Sequence, residues 1–177
     1  TLDIYYAAFR VPDLIYNLLI LGALSAAFIP VFTGLIAKDE KSEAWELVNV
    51  FLTTALLFLI VLAAILAIFA PQLMKIITPG FSEEKMQGVV MLTRIMFLSP
   101  IFLGISGIFG GILNSFKRFL IYSLAPIMYN LGIIFGAVFL VKPFGIAGLA
   151  WGVVIGAFLH MAIQYPNVKM IGLKYFP

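Results

Sequence analysis

Four polar side chains stand at the front of the first apolar run: Asp3, Arg10, Asp13 and Asn17. From Leu14 to Ala37 there are 24 consecutive residues without a formal charge, enough to cross a bilayer as a helix. Arg10 and Asp13 are three residues apart and Asn17 follows Asp13 by four, so the three share one face of that helix. A charge near the centre of a spanning helix costs roughly 2.5–3.5 kcal/mol on insertion scales, and such groups turn to a bundle interior or a watery cavity. Two chemistries fit the face. Arg10 and Asp13 can neutralise each other at the membrane edge. Alternatively the face walls a cavity that binds an anionic headgroup, with the Arg10 fork donating to phosphate.

Other polar groups lie within later apolar runs. Arg94 either snorkels to the interface or adds a second positive group to the same cavity. Asn130 and Gln164 have the types that hydrogen-bond between membrane helices. His160, the single histidine, precedes Gln164 by four residues. Two roles are open to it, a packing residue near a helix end or a proton relay. No enzyme constellation is visible: there is no nucleophile–base pair, no HExxH, no P-loop lysine and no metal-ligand spacing. The expectation is a non-enzyme without cofactor or metal.

The elements that must carry these groups follow from composition. The chain is 63% hydrophobic and 11% charged, against about 45–50% and 25% for soluble domains, and its mean hydropathy is +1.14. That is the balance of an integral membrane protein. The net charge of +3 is scattered, so nucleic acid is not expected as a partner. With no cysteine, disulfides and thiolate metal sites are excluded. Thr1 in place of an initiator Met leads us to expect an internal piece of a longer protein.

The pattern predicts an all-α, polytopic membrane helix bundle of about five spans. They run over about Tyr5–Ala37, Ala44–Ala70, Met86–Phe116, Phe119–Val141 and Phe144–Tyr165. The first is longer than one crossing needs, so tilt, a kink near Pro12 or projection beyond the bilayer is expected. Pro71–Phe81 is too short to cross and reads as an interfacial turn, and Ser82 as the N-cap of the third span. Lys38, Lys41, Lys117, Arg118, Lys169 and Lys174 fall on one side, and Lys75, Lys85 and Lys142 on the other. Six against three makes the first side cytoplasmic, with the N-terminus outside and the C-terminus inside. Gly148, Gly152 and Gly156 form a stripe at four-residue spacing, with Gly132 and Gly136 in the span before and Gly107 and Gly111 in span three. Such stripes serve close static packing or a sliding surface between helices.

Several runs resemble one family. Asp3, Ala7-Ala8-Phe9-Arg10-Val11-Pro12-Asp13-Leu14 and Gly22-Ala23-Leu24-Ser25-Ala26-Ala27-Phe28-Ile29-Pro30 resemble the second transmembrane helix of the MurJ (MviN) lipid II flippases of the MOP exporter superfamily. Further matches are Pro79-Gly80-Phe81, Leu92-Thr93-Arg94-Ile95-Met96 and Ile112-Leu113-Asn114-Ser115-Phe116-Lys117-Arg118-Phe119. Ala125-Pro126, Asn130, Gly148-Leu149-Ala150-Trp151-Gly152 and Gln164-Tyr165-Pro166 complete an end-to-end series in unchanged order.

The resemblance implies a fourteen-helix, two-lobed transporter of the bacterial cytoplasmic membrane that works by alternating access. Residues 1–177 would be one helical bundle, helices two to six of the first lobe, incomplete at both ends. The implied function is movement of a polyprenyl-pyrophosphate-linked peptidoglycan precursor from the inner to the outer leaflet. The implied partners are that anionic lipid, the surrounding membrane lipids and the remaining helices of the full-length transporter. Asp3 matches an acid at the head of the family's second helix, and Arg10 a basic position facing its cavity. Asp13 stands where the family commonly has Asn. Asp3, Arg10, Asp13 and Asn17 are thus the expected substrate-binding residues. Tyr16 stands where the family usually has Arg, and Leu21 where it usually has Glu. Those departures leave two alternatives open: export of another lipid-linked oligosaccharide, or a non-transporting scaffold with the same fold.

Overall fold

The computed structural model describes residues 2–18, 22 and 26–176. The described residues form helices and short connections, with no strand among them. In order they are α1 (Leu2–Leu18), α2 (Ile29–Ala37), α3 (Lys41–Ile68), α4 (Ala70–Ile77), α5 (Glu83–Met96) and α6 (Ser99–Ser115). Then come α7 (Phe119–Phe135), a π-wound turn (Gly136–Leu140), α8 (Val141–Phe144), α9 (Ala147–Ala162) and α10 (Tyr165–Ile171). Among the described residues, four helical stretches are long and apolar enough to cross a membrane: Lys41–Ile68, Glu83–Ser115, Phe119–Phe144 and Ala147–Ile171.

The first expected span is described in two pieces. α1 has 17 residues and the second apolar helix covers Ala26–Ala37; each falls short of the about 20 residues a bilayer crossing needs. Pro12 lies inside α1, where it has no N–H to give the carbonyl of Ala8. Leu21 lies outside the described residues. The segment expected as an interfacial turn is instead mostly helix. Pro71 sits in the first turn of α4, where its missing N–H has no helical partner to lose. Thr78 closes that helix by donating from both its backbone N and its hydroxyl to the Met74 carbonyl, at 2.8 and 2.7 Å. Ser82 caps α5 as expected, accepting from the Lys85 N–H at 3.4 Å.

Span three is interrupted just before its proline, α5 ending at Met96 and α6 beginning at Ser99. Pro100 cannot donate to the Met96 carbonyl four residues back, and the Ser99 hydroxyl takes that carbonyl instead at 2.7 Å. Here a side chain repairs what the proline breaks.

Two packed regions hold the bundle together. One joins α1, α4, α5 and α9 through Ala8, Met74, Val89, Leu92, Met96 and Ala150. The other joins residues 28–37, α3, α6 and α10 through Phe28, Phe32, Val48, Ile108, Ile112 and Val168. α7 and α9 meet backbone to backbone along the expected glycines. A methyl group added at Gly132 would come within 3.0 Å of the Gly156 backbone, and one at Gly136 as close to that of Gly152. Small residues are what permit this approach in the absence of a hydrophobic drive. By contrast α3 and α7 turn Leu57, Phe58, Val61, Ile127, Leu131 and Ile134 outward, the arrangement of surfaces that face lipid.

Candidate functional site

A cavity of about 230 Å³ opens between four helices. α1 contributes Phe9, Pro12, Asp13 and Tyr16; α6 contributes Ser99 and Leu103; α7 contributes Pro126 and Tyr129; α9 contributes His160. Pro12 is buried and Ser99 and Leu103 are nearly sealed, at 3% and 8% exposure. Asp13 on α1 and Pro126 on α7 are the exposed members of the lining.

The expected polar face divides among different tasks. Asp13 lines the cavity, and its Oδ2 accepts from Asn17 Nδ2 at 3.1 Å. Arg10 does not line the cavity. It is exposed and makes no ion pair or hydrogen bond among the described residues, so the Arg10–Asp13 pair, one of the two readings of this face, does not form. Asp3 stands away from the cavity at the head of α1. Its Oδ2 accepts from the Lys85 ammonium at 2.5 Å, which joins the starts of α1 and α5. That hydrogen bond holds the Asp3 carboxyl well below the usual carboxylate range.

The other polar groups are sorted by the packing. Arg94 neither lines the cavity nor stands free. Its Nε donates to the carbonyl of Ala67 at 2.9 Å, satisfying an acceptor in the last turn of α3 that has no helical donor. Asn130 bonds within its own helix, to the Pro126 carbonyl at 2.8 Å, rather than across helices. Gln164 does cross: its Nε2 donates to Ser106 Oγ on α6 at 2.5 Å. Ser106 Oγ also lies 2.6 Å from His160 Nδ1 and donates to the His160 carbonyl at 3.1 Å. Ser106 and Gln164 are buried to 1% and 0% exposure. The Tyr129 ring meets the His160 ring edge-on, with centroids 6.4 Å apart.

Sequence reasoning missed Ser106 and Tyr129. A serine beside a glycine in an apolar helix and a tyrosine one residue before Asn130 carry no pattern of their own. Only their helices' packing brings them to His160.

Fold and cavity together define a class: a multi-pass α-helical membrane protein whose bundle holds a largely apolar cavity with a few polar groups in its wall. The particular family follows from comparison with known proteins. The family model described as "Lipid II flippase MurJ" matches residues 1–177, and the chain belongs to that family. A relative named probable lipid II flippase MurJ, from Rickettsia prowazekii, is 34% identical over 95% of this chain and 34% of its own length. One from Buchnera aphidicola subsp. Schizaphis graminum, named likewise, is 31% identical over 99% of this chain and 35% of its own. The lipid II flippase MurJ of Burkholderia cenocepacia is 29% identical over 97% and 34%. A solved lipid II flippase MurJ in an inward closed conformation superposes with a TM-score of 0.78 at 25% identity, over 99% of this chain and 36% of that one. The chain thus spans about a third of the length of the relatives it matches.

Proposed function

We propose that these residues are helices two to six of the first lobe of a flippase that moves a lipid-linked, pyrophosphate-bearing peptidoglycan precursor, lipid II, to the outer leaflet. The family membership supports the substrate class. The observation that carries the site is Arg10: a guanidinium exposed on α1 and unpaired among the described residues, one turn from an aspartate that lines the cavity. A free guanidinium offers the planar fork that phosphate oxygens accept. Asp13 and Asn17 would contact the polar headgroup beside it. Asp3, held by Lys85, would act at the head of α1 by fixing where that helix begins. The N-terminus lies outside and the C-terminus in the cytoplasm in this reading, supported by the excess of lysine and arginine at the end carrying residues 38–41, 117–118 and 169–174.

The test is Arg10→Ala in the full-length transporter, assayed by lipid II translocation in proteoliposomes. Loss of a charge-assisted phosphate contact, worth about 1.5–3 kcal/mol, lowers translocation at least tenfold while expression holds. Normal translocation by the variant removes Arg10 from the site.

A second reading has one observation in its favour. Tyr16 lines the cavity at the position where a cation is expected from the family pattern. A chamber with fewer cations suits a lipid-linked oligosaccharide with a different headgroup. Rescue of a lipid II flippase-depleted cell supports the first reading, and failure of rescue with export of another lipid-linked glycan supports the second.

A further inference from the structure

The carbonyl that Arg94 occupies is left open by the sequence. At the junction of α3 and α4, the amide four residues beyond Ala67 belongs to Pro71, which has no N–H to give. Two residues on, the ladder is regular again, with the Leu73 N–H donating to the Phe69 carbonyl at 3.0 Å. Arg94 Nε fills the gap at 2.9 Å. A guanidinium has five N–H donors. The bond to Ala67 uses one and orients the fork; the four on Nη1 and Nη2 have no partner among the described residues. Arg94 is exposed and makes no ion pair among those residues. The acids of its own helix, Glu84 and Glu83, stand 10 and 11 residues earlier, about 15 Å along the axis.

Two helices measure the depth of this contact independently. On α3, Ala67 lies 21 residues beyond Glu46 with no charge between them, a rise of about 31 Å. On the third span, 22 uncharged residues run from Ile95 to Phe116 before Lys117 and Arg118, a rise of about 33 Å. Each length matches the hydrocarbon core of a bilayer, about 30 Å. With Glu46, Lys117 and Arg118 at one face of the membrane, the Arg94 guanidinium stands at the other, level with the lipid phosphates. Its surroundings are apolar and outward. Met91 and Leu98, three residues before and four after it, share its side of the helix and are exposed, as are Ile68 and Phe69 just past the acceptor carbonyl.

We propose that Arg94, held at the α3–α4 junction, is the headgroup site for a membrane phospholipid: its Nη groups donate to the phosphate, and an acyl chain runs into the membrane past Leu98. Charge complementarity selects the ligand. A planar fork matches phosphate oxygens, no carboxylate among the described residues answers it, and the anions at this depth of a bilayer are headgroup phosphates. The bond to Ala67 holds the fork in place before the lipid arrives, which reduces the side-chain freedom lost on binding. Pro71 is the positioning residue, because it keeps that carbonyl free for Arg94. In the topology proposed above the leaflet is the outer one. The site is separate from the cavity at α1, whose lining does not include Arg94, and it does not depend on the transport reading.

Two measurements on the full-length protein test it. In the first, dioleoylphosphatidylglycerol and dioleoylglycerol, which share their chains and differ in the phosphate, are titrated onto the detergent-solubilised protein, and bound lipid is counted by native mass spectrometry. The expected result is one phosphatidylglycerol fewer on Arg94→Gln than on wild type at the same lipid concentration, with the same count of dioleoylglycerol. Equal phosphatidylglycerol counts overturn the site, and so does an equal loss of both lipids, the mark of a merely structural role. The second measurement keeps Arg94 and so decides even where Arg94→Gln does not fold. Nitroxide labels on Met91→Cys and Leu98→Cys, in a cysteine-free background in phosphatidylglycerol vesicles, are exposed to oxygen and to a water-soluble nickel chelate. Relaxation by the chelate at position 91 and by oxygen at position 98 places the lipid boundary at Arg94. The same preference at both positions, or shielding of both from either reagent, overturns the site.

Discussion

His160 Nδ1 and Ser106 Oγ lie 2.6 Å apart across 54 residues of sequence, and this contact ties α9 to α6 beside the cavity. Ser106 also receives the buried Gln164 amide, so one hydroxyl serves three groups. Ser106→Ala leaves the imidazole Nδ1 without its partner, while the Gln164 amide keeps only the His160 carbonyl at 3.1 Å. The expected cost is about 1–3 kcal/mol for each buried group left without a partner, read as a lower Tm of the full-length protein in detergent. Ser106→Thr, which keeps the hydroxyl, recovers part of the loss.

The glycines of α7 and α9 give a sharper contrast. Gly132→Ala drives a methyl into the Gly156 backbone, which has no side-chain freedom with which to yield. The expected loss is about 1–3 kcal/mol or more from overpacking, seen as reduced folded yield in a fluorescence-detected gel-filtration profile. Gly34→Ala meets open space within α2. It is expected to gain about 0.5–1 kcal/mol from the lower backbone entropy of the unfolded chain. Equal behaviour of the two variants would refute the backbone-contact account.

The pair at the head of α1 predicts a pH dependence. Asp3 ordinarily titrates at 3.8, and the hydrogen bond from Lys85 lowers that value in the folded state. The folded state therefore binds fewer protons in acid than the unfolded one. The pair stabilises the protein above the ordinary value and loses that contribution as pH falls below it. The Tm difference between wild type and Lys85→Met is expected to be largest at neutral pH and to shrink below pH 3.8. A difference that is flat with pH would count against the pair.

Asn49 holds the last described residues against α3. Its Nδ2 donates to the Lys174 carbonyl and its Oδ1 accepts from the Phe176 N–H, both at 3.0 Å. Thr53 and Tyr175 add a hydroxyl contact at 3.1 Å, and Gly172, at φ +133°, leaves space that the Trp45 ring occupies. Asn49→Ala removes both hydrogen bonds to this segment, of about 0.5–1.5 kcal/mol each, together with the bond from Nδ2 to the Trp45 carbonyl. Amide exchange at Phe176 should then accelerate by about tenfold or more, with exchange in α9 unchanged.

Much of this protein was determined by the sequence alone, because the relevant physics is local or additive. Hydropathy summed over about 20 residues marks a span whatever its neighbours are. The helices over 41–68, 83–115, 119–144 and 147–171 therefore lie close to the expected spans two to five. Helical spacing likewise put Asp13 and Asn17 within reach of one another, and their hydrogen bond forms.

Local patterns also misled where a side chain had more than one possible partner. Arg10 and Asp13 have the spacing of a pair but do not form one, because Asp13 turns to the cavity and to Asn17. Arg94 does not join the cavity, which was one of its two readings; its Nε donates to a carbonyl at the end of α3, a partner 27 residues away that no local rule supplies. The Pro71 segment read as a turn, although a proline in a first helical turn costs nothing.

What only the tertiary structure decided is the meeting of residues distant in sequence. Asp13, Tyr16, Tyr129 and His160 come from α1, α7 and α9 and line one chamber because the α7 and α9 glycines let two backbones touch. A lone histidine near a helix end reads first as a packing or interfacial residue, with a proton relay as the alternative. The structure adds that its Nδ1 lies 2.6 Å from the hydroxyl of a serine 54 residues away, a contact that no local pattern supplies.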